Sequence, residues 1–126
     1  MNKHAIIIIK NNDKYLQYYD NRWDCFLFPN IKLRESFTDL DIIEYVLNSL
    51  QKKVIEYSFI KNIVHSKYSV SHKEIREYNH YFYLVTLDSY DFDDTFKFFT
   101  IDELKNNKRI MEVNSDIVGF IENMNL

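Results

Sequence analysis

Glycine, proline, cysteine and alanine each occur once in this chain of 126 residues, as Gly119, Pro29, Cys25 and Ala5. A single glycine excludes the Gly-rich loops that cradle phosphates, so P-loops and dinucleotide-binding fingerprints are ruled out. A single cysteine cannot close an internal disulfide, which points to a reducing, cytoplasmic setting. Positive charge is not in excess either. Lys and Arg number 16 against 19 Asp and Glu, giving −3, the wrong sign for gripping a DNA or RNA duplex by its phosphates. The longest apolar run, Ala5–Ile9, falls far short of the ~20 residues that a membrane span needs. The opening Met1–His4 has no apolar stretch and no small-residue cleavage pattern, so no secretory leader is expected.

Aromatic residues are abundant. Ten Phe, ten Tyr and one Trp make 17% of the chain, and apolar residues in all reach 46% against 28% charged. That balance is globular, and the length suits a single domain over residues 1–126 with a core of large side chains.

Ala5–Ile9 is apolar on both faces and predicts a strand covered on both sides. Asn11-Asn12-Asp13 turns the chain, and Lys14–Tyr19 returns as the second strand of a hairpin. Asp20-Asn21-Arg22 turns it again into a strand over Trp23–Phe28, ended by Pro29. Leu40, Ile43, Leu47, Leu50 and Val54 then fall on one apolar stripe of a helix. Ser36 or Thr38 caps it, Asp39 and Asp41 lie near its positive end, and Lys52-Lys53 near its negative end. Glu56–His65 reads as a strand followed by a hairpin or irregular excursion to about Glu77, and His80–Leu87 as another strand. Asp88–Asp94 is a loop, Phe96–Phe99 a short strand, and Thr100-Ile-Asp-Glu103 a capping box opening a brief helix. A final helix places Ile117, Phe120, Ile121 and Met124 on one face. Two-sided strands with amphipathic helices predict an α/β (α+β) fold, a mixed sheet packed between helices.

This order of elements resembles the Nudix fold over most of the chain. Its local matches are Trp23-Asp-Cys-Phe-Leu-Phe-Pro29, similar to the family's Trp strand running into Pro-Gly-Gly, and Phe98-Phe-Thr-Ile-Asp-Glu-Leu104, similar to a late Phe-Phe-Ser-x-x-Glu-Leu segment. In Nudix hydrolases, glutamates one turn apart on a helix converge on Mg²⁺, which activates water against a diphosphate. Against that signature the chain departs. Glu35 stands for the first glutamate and Glu44 for the glutamate of Arg-Glu. The arginine position is Ile43, the Glu-Glu pair is Leu47-Asn48, the closing glycine is Leu50, and Asn30-Ile31 follows the proline. Leu47 and Leu50 also belong to the core stripe, so a shifted register does not recover the glutamates. The resemblance therefore implies a degenerate, non-hydrolytic Nudix-like domain. Trp23–Asn30 further resembles Nudix-like domains found beside cGAS/DncV-like nucleotidyltransferases of anti-phage (CBASS) systems, thought to sense cyclic nucleotides. Some of those carry transmembrane helices, which this chain does not contain.

Other chemistries find little support. His65, His72 and His80 are outside zinc spacing, although His72 and His80 could approach each other on strands. Cys25, in an apolar strand, reads as a small core residue. Asp88, Asp91, Asp93 and Asp94 lack the turn glycine and terminal glutamate of a calcium loop, so they read as solvated. A nucleotide site needs cations for phosphates and π-faces for bases. Lys67, His72 and Arg76, in the segment His65–Arg76, offer cations among hydroxyls and aromatics, with Arg34 after the Pro29 turn as a partner across the cleft. Each of these is also an ordinary solvated surface residue. Tyr81 and Tyr83 alternate to one face of their strand, opposite Phe82, where they either floor a ligand cleft or pack the core. Trp23 reads as core rather than as a stacking platform.

The leading expectation is a nucleotide-binding module for a small nucleotide, with a cyclic oligonucleotide signal as the narrower form, requiring no cofactor. A divergent hydrolase is the alternative; it would use Glu35, Glu44 and a carboxylate of the Asp88–Asp94 loop with Mg²⁺. An interaction module without a small ligand is the third. The resemblance leaves room for a homo-oligomer.

Overall fold

The computed structural model describes residues 2–69 and 72–126. Val70 and Ser71, inside the segment His65–Arg76 singled out above, lie outside the described residues, as does Met1. Along the chain run β1 (Asn2–Asn11), β2 (Lys14–Asp20), β3 (Cys25–Leu27), β4 (Asn30–Lys32), α1 (Asp39–Tyr45), a π-helical turn (Val46–Leu50), β5 (Val54–Ser69), β6 (Glu74–Leu87), β7 (Phe96–Thr100), α2 (Ile101–Lys105) and α3 (Lys108–Met124). The class is α+β, a mixed sheet with helices, as expected. The residues group into two compact units, Met1–Ile7 with Asn30–Asp88, and Ile8–Pro29 with Ser89–Leu126.

In the first unit, β1 pairs antiparallel with β4 through His4↔Lys32 and Ile6↔Asn30, and it also neighbours β6. Ala5, Ile6 and Ile7 are all buried, so both faces of β1 are covered as the unbroken apolar run predicted. The segment after Glu56 is no irregular excursion. It is a long hairpin in which β5 pairs β6 from Val54↔Leu87 to Ser69↔Glu74, with bulges at Ile55 and Ile60. Thr38 caps α1, its side-chain oxygen accepting from Leu40 N–H, with Asp39 and Asp41 in the first turn. The buried stripe of this helix differs from the expected one. Ile42, Val46 and Leu50 face inward, whereas Leu40 and Leu47 are 63% and 51% exposed. The reason is spacing. Three apolar residues exactly four apart drift around an α-helix, and a widened π turn over Val46–Leu50 brings Leu50 back into line. The helix closes at Gln51 in a left-handed conformation (φ 57°), so Lys52-Lys53 lie beyond it and Val54 already belongs to β5.

In the second unit, the end of β1 pairs β2 through Lys10↔Tyr15, and β2 is flanked by β3 and β7. The third strand is shorter than expected and does not include Trp23. The Asp20 carboxylate accepts from the backbone N–H groups of Arg22 (2.9 Å) and Trp23 (3.2 Å), bending the chain outward. Trp23 is therefore 50% exposed rather than core. The capping box is present as read. Thr100 Oγ1 accepts from Glu103 N–H, and the Glu103 carboxylate accepts from Thr100 N–H. That carboxylate is held below its ordinary pKa, chiefly by the backbone hydrogen bond from Thr100. On α3, Ile110, Ile117, Val118, Phe120 and Ile121 are buried, but Met124 is outside the packed face, near the helix end. The helix breaks its regular backbone at Asn114 (φ −125°), a buried amide. With so little glycine, left-handed turns fall to Asn12, Asp24, Gln51, Lys73 and Asn125.

Candidate functional site

One side of α1 and its π turn borders a cleft of about 420 Å³ within the first unit, in the size range of small-ligand pockets. The helix contributes Asp41, Glu44, Asn48 and Ser49, and the segment around β4 contributes Lys32 and Arg34. Asp41, Glu44 and Asn48 recur at three and four residues, so they share a face turned away from the buried Ile42–Val46–Leu50 stripe, with Ser49 at its edge. Strand β4 is fixed by its ladder to β1, and Leu33 N–H donates to the Lys3 carbonyl (2.8 Å), which sets the exit of Arg34. The Arg34 guanidinium donates to Asp41 at 3.2 Å. Lys32 stands across the strand pair from His4, whose imidazole is pushed below its ordinary pKa by burial and then by the Lys32 charge.

The cleft combines two cations, two carboxylates and small polar groups. Among the anticipated residues it contains Arg34 and Glu44. Glu35 is elsewhere: its carboxylate is highly exposed and takes a hydrogen bond from Lys3 at 3.4 Å. Leu47 is turned to solvent rather than into the core, so the packing argument against a shifted register holds for buried Leu50 alone.

The remaining candidates divide into two groups. Lys67 and Arg76 face each other across β5 and β6. Near them, Arg76 Nη1 lies 3.2 Å from His72 Nε2, and His72 Nδ1 lies 3.0 Å from Ser69 Oγ. Lys67 also stands over the Tyr78 ring. This group occupies the hairpin tip. Tyr81 and Tyr83 are five and seven residues further along β6, roughly 16–23 Å away at strand rise. There Tyr83 is buried, as is Phe82 on the opposite face. The Tyr83 hydroxyl donates to Asp39 at 3.0 Å, and Tyr57 donates to the same carboxylate at 3.2 Å. Burial, then the Asp39 hydrogen bond, raise the Tyr83 pKa well above its ordinary value. Tyr81 packs edge-on against Phe37. Both tyrosines are thus tied into the packing between α1 and the hairpin.

The histidine that meets His80 is His65, not His72; their Nδ1 atoms are 3.1 Å apart, one donating to the other. Cys25 is buried as expected, and burial raises its thiol pKa. In the Asp88–Asp94 loop, Asp88 accepts from Lys53 N–H (3.0 Å), closing the end of the β5–β6 pair, and Asp93 caps its own turn by accepting from Thr95 N–H (2.9 Å). Lys32, Asp41, Asn48 and Ser49 were not anticipated. Their signal was the polar helix face at 41, 44 and 48 opposite a spacing-of-four apolar stripe.

No protein-family model matches this chain, and no curated protein matches it in sequence. Solved structures do match in fold. A MutT protein from a pair studied in Aliivibrio salmonicida and Vibrio cholerae aligns over 94% of this chain and 92% of its own, with TM-score 0.65 and 18% identity. A MutT NUDIX hydrolase from Burkholderia pseudomallei aligns over 89% and 97%, with TM-score 0.64 and 11% identity. A NUDIX hydrolase from Nitrosomonas europaea aligns over 94% and 88%, with TM-score 0.60 and 16% identity. The fold is the one those hydrolases share. Among the described residues, no helix is long and apolar enough to cross a membrane.

Proposed function

We propose that this chain, on the fold it has in common with Nudix hydrolases, is a nucleotide-binding module that holds its ligand in the α1 cleft without hydrolysing it. The observation that carries this is the composition of the cleft: Lys32 and Arg34 stand beside a helix face carrying Glu44 and Asn48. The two cations attract phosphates through charge-assisted hydrogen bonds. Glu44, Asn48 and Ser49 offer partners to ribose hydroxyls and base edges.

The donors do not fit a catalytic Mg²⁺ centre. Mg²⁺ demands near-octahedral oxygen ligands, carboxylates above all. Asn48 brings a neutral amide, Leu47 an alkyl group, and Glu35 is paired with Lys3. Asp41 is already held by Arg34. No hydrolytic step is therefore assigned. The narrower proposal, a cyclic di- or trinucleotide of anti-phage signalling, rests on the Trp23–Asn30 resemblance; two cations suit the two charges of a cyclic dinucleotide.

One observation favours the hydrolase reading. Asp41 and Glu44 line the same cleft three residues apart. Calorimetric titration against linear and cyclic nucleotides, with and without Mg²⁺, separates the readings. Arg34→Ala should weaken binding by about ten- to a hundredfold, at roughly 1.5–3 kcal/mol for a charged hydrogen bond. The melting temperature should hardly move, since the Arg34 side chain is mostly exposed. Mg²⁺-dependent turnover lost in Glu44→Gln establishes the hydrolase instead. Absence of binding by every nucleotide leaves the interaction module.

A further inference from the structure

Strand β5 lies at the edge of its sheet: among the described residues its only ladder is with β6. It is 16 residues long, and Tyr57, Phe59, Val64 and Tyr68 on it are exposed. A long edge with open N–H and C=O groups and exposed apolar side chains is a template for another strand. Natural edges usually discourage this with charges and bulges, and β5 has Lys61, Lys67 and bulges at Ile55 and Ile60. Here those features select one partner.

We infer that β5 pairs edge to edge, antiparallel, with β5 of a second copy, about a two-fold axis through Asn62. Such an axis stands perpendicular to the sheet, so residues that meet must lie on the same face. The axis must pass through a residue, because neighbours in the unbulged stretch from Lys61 to Val64 alternate faces. With Asn62 on the axis, Lys61 meets Ile63, and the bulged Ile60 of each strand is passed over before Phe59 is reached. Faces follow from the β6 partners: Phe59 and Val64 oppose Tyr83 and Asn79, whereas Glu56 and Lys67 oppose Thr86 and Arg76. About the proposed axis Phe59 meets Val64, each 49% exposed, and Glu56 meets Lys67 on the other face, twice over by symmetry. The competing register, about Ser58, sets Glu56 against Lys61 but pairs only Val54–Asn62 and leaves Val64 and Lys67 beyond the partner strand. The partner is therefore a second copy of this chain, held by main-chain hydrogen bonds, an apolar pair and an ion pair repeated across the axis.

Sedimentation equilibrium of the whole protein, up to about 1 mM, tests the association. The expected result is a monomer–dimer equilibrium. Glu56→Lys should weaken it at least about tenfold, because like charges then face each other, and Glu56→Lys with Lys67→Glu should recover the parental affinity. Lys61→Cys, adjacent to the axis, should oxidise to a disulfide-linked dimer far faster than Glu56→Cys, which lies far from its own copy. Unchanged melting temperatures confirm that the variants fold. A monomer at every concentration overturns the proposal, as does a dimer indifferent to the charge reversals, or preferential cross-linking through residue 56.

Discussion

Replacing Leu47 by Glu tests which way the α1 helix faces. Fully burying a leucine is worth roughly 1.5–3 kcal/mol. Leu47 is 51% exposed, so losing its remaining contacts costs about 0.7–1.5 kcal/mol. The new carboxylate stands one turn from Glu44, and such like-charge pairs cost roughly 0.2–0.5 kcal/mol on a helix surface. The expected destabilisation is therefore about 1–2 kcal/mol. Ile42 is the contrast: it is 0% exposed, and Ile42→Ala should cost about 2–5 kcal/mol through lost contacts and a cavity. Urea unfolding followed by far-ultraviolet circular dichroism measures both, with an unchanged m-value licensing the comparison. A Leu47→Glu loss of about 4 kcal/mol or more would refute the reasoning. It would mean that residue 47 packs inward and that the cleft face has been assigned to the wrong side of the helix. Asn48→Glu, by contrast, adds a third carboxylate to the cleft beside Asp41 and Glu44, and calorimetry should then detect tighter Mg²⁺ binding than the parent shows.

Two further perturbations probe the same unit. Tyr83 has a folded pKa raised above the ordinary 10.0, so the unfolded chain loses its proton first. Its contribution is complete below about pH 10 and is lost as pH rises above it; alkaline unfolding of Tyr83→Phe should accordingly show a shallower pH dependence than the parent. Gln51→Gly relieves a left-handed backbone at the helix end and should stabilise by up to about 1 kcal/mol, read as a higher urea midpoint. A lower midpoint would show that the Gln51 side chain matters more than its backbone.

Much of the chain order could be read from local chemistry because local chemistry determines it. The run Ala5–Ile9 has no polar face to expose, and Thr100 with Glu103 satisfies two backbone donors wherever it occurs. The face of α1 was a different problem. Leu40–Ile43–Leu47–Leu50 and Ile42–Val46–Leu50 are both apolar series, and only the π turn makes the second continuous. The ordinary helical period chose the first. The same error concealed the cleft, since its polar residues lie opposite the true stripe. Trp23 was misplaced because an Asp20 side chain, invisible to periodicity, caps the turn before it. The candidate cations were grouped by closeness in sequence, yet β6 is fully extended and separates the tip from Tyr81 and Tyr83 by several residues of strand rise.

The exposure of Trp23 has a consequence for spectroscopy. As the lone indole, it dominates the intrinsic fluorescence, yet in the native state it already stands half in water. Global unfolding should therefore shift its emission only slightly. The turn that carries it is tied to the start of α3 by the Arg109 guanidinium, which donates to the Trp23 carbonyl at 2.7 and 3.1 Å. The wavelength of this chromophore is thus a poor gauge of unfolding, and circular dichroism has to carry the stability measurements.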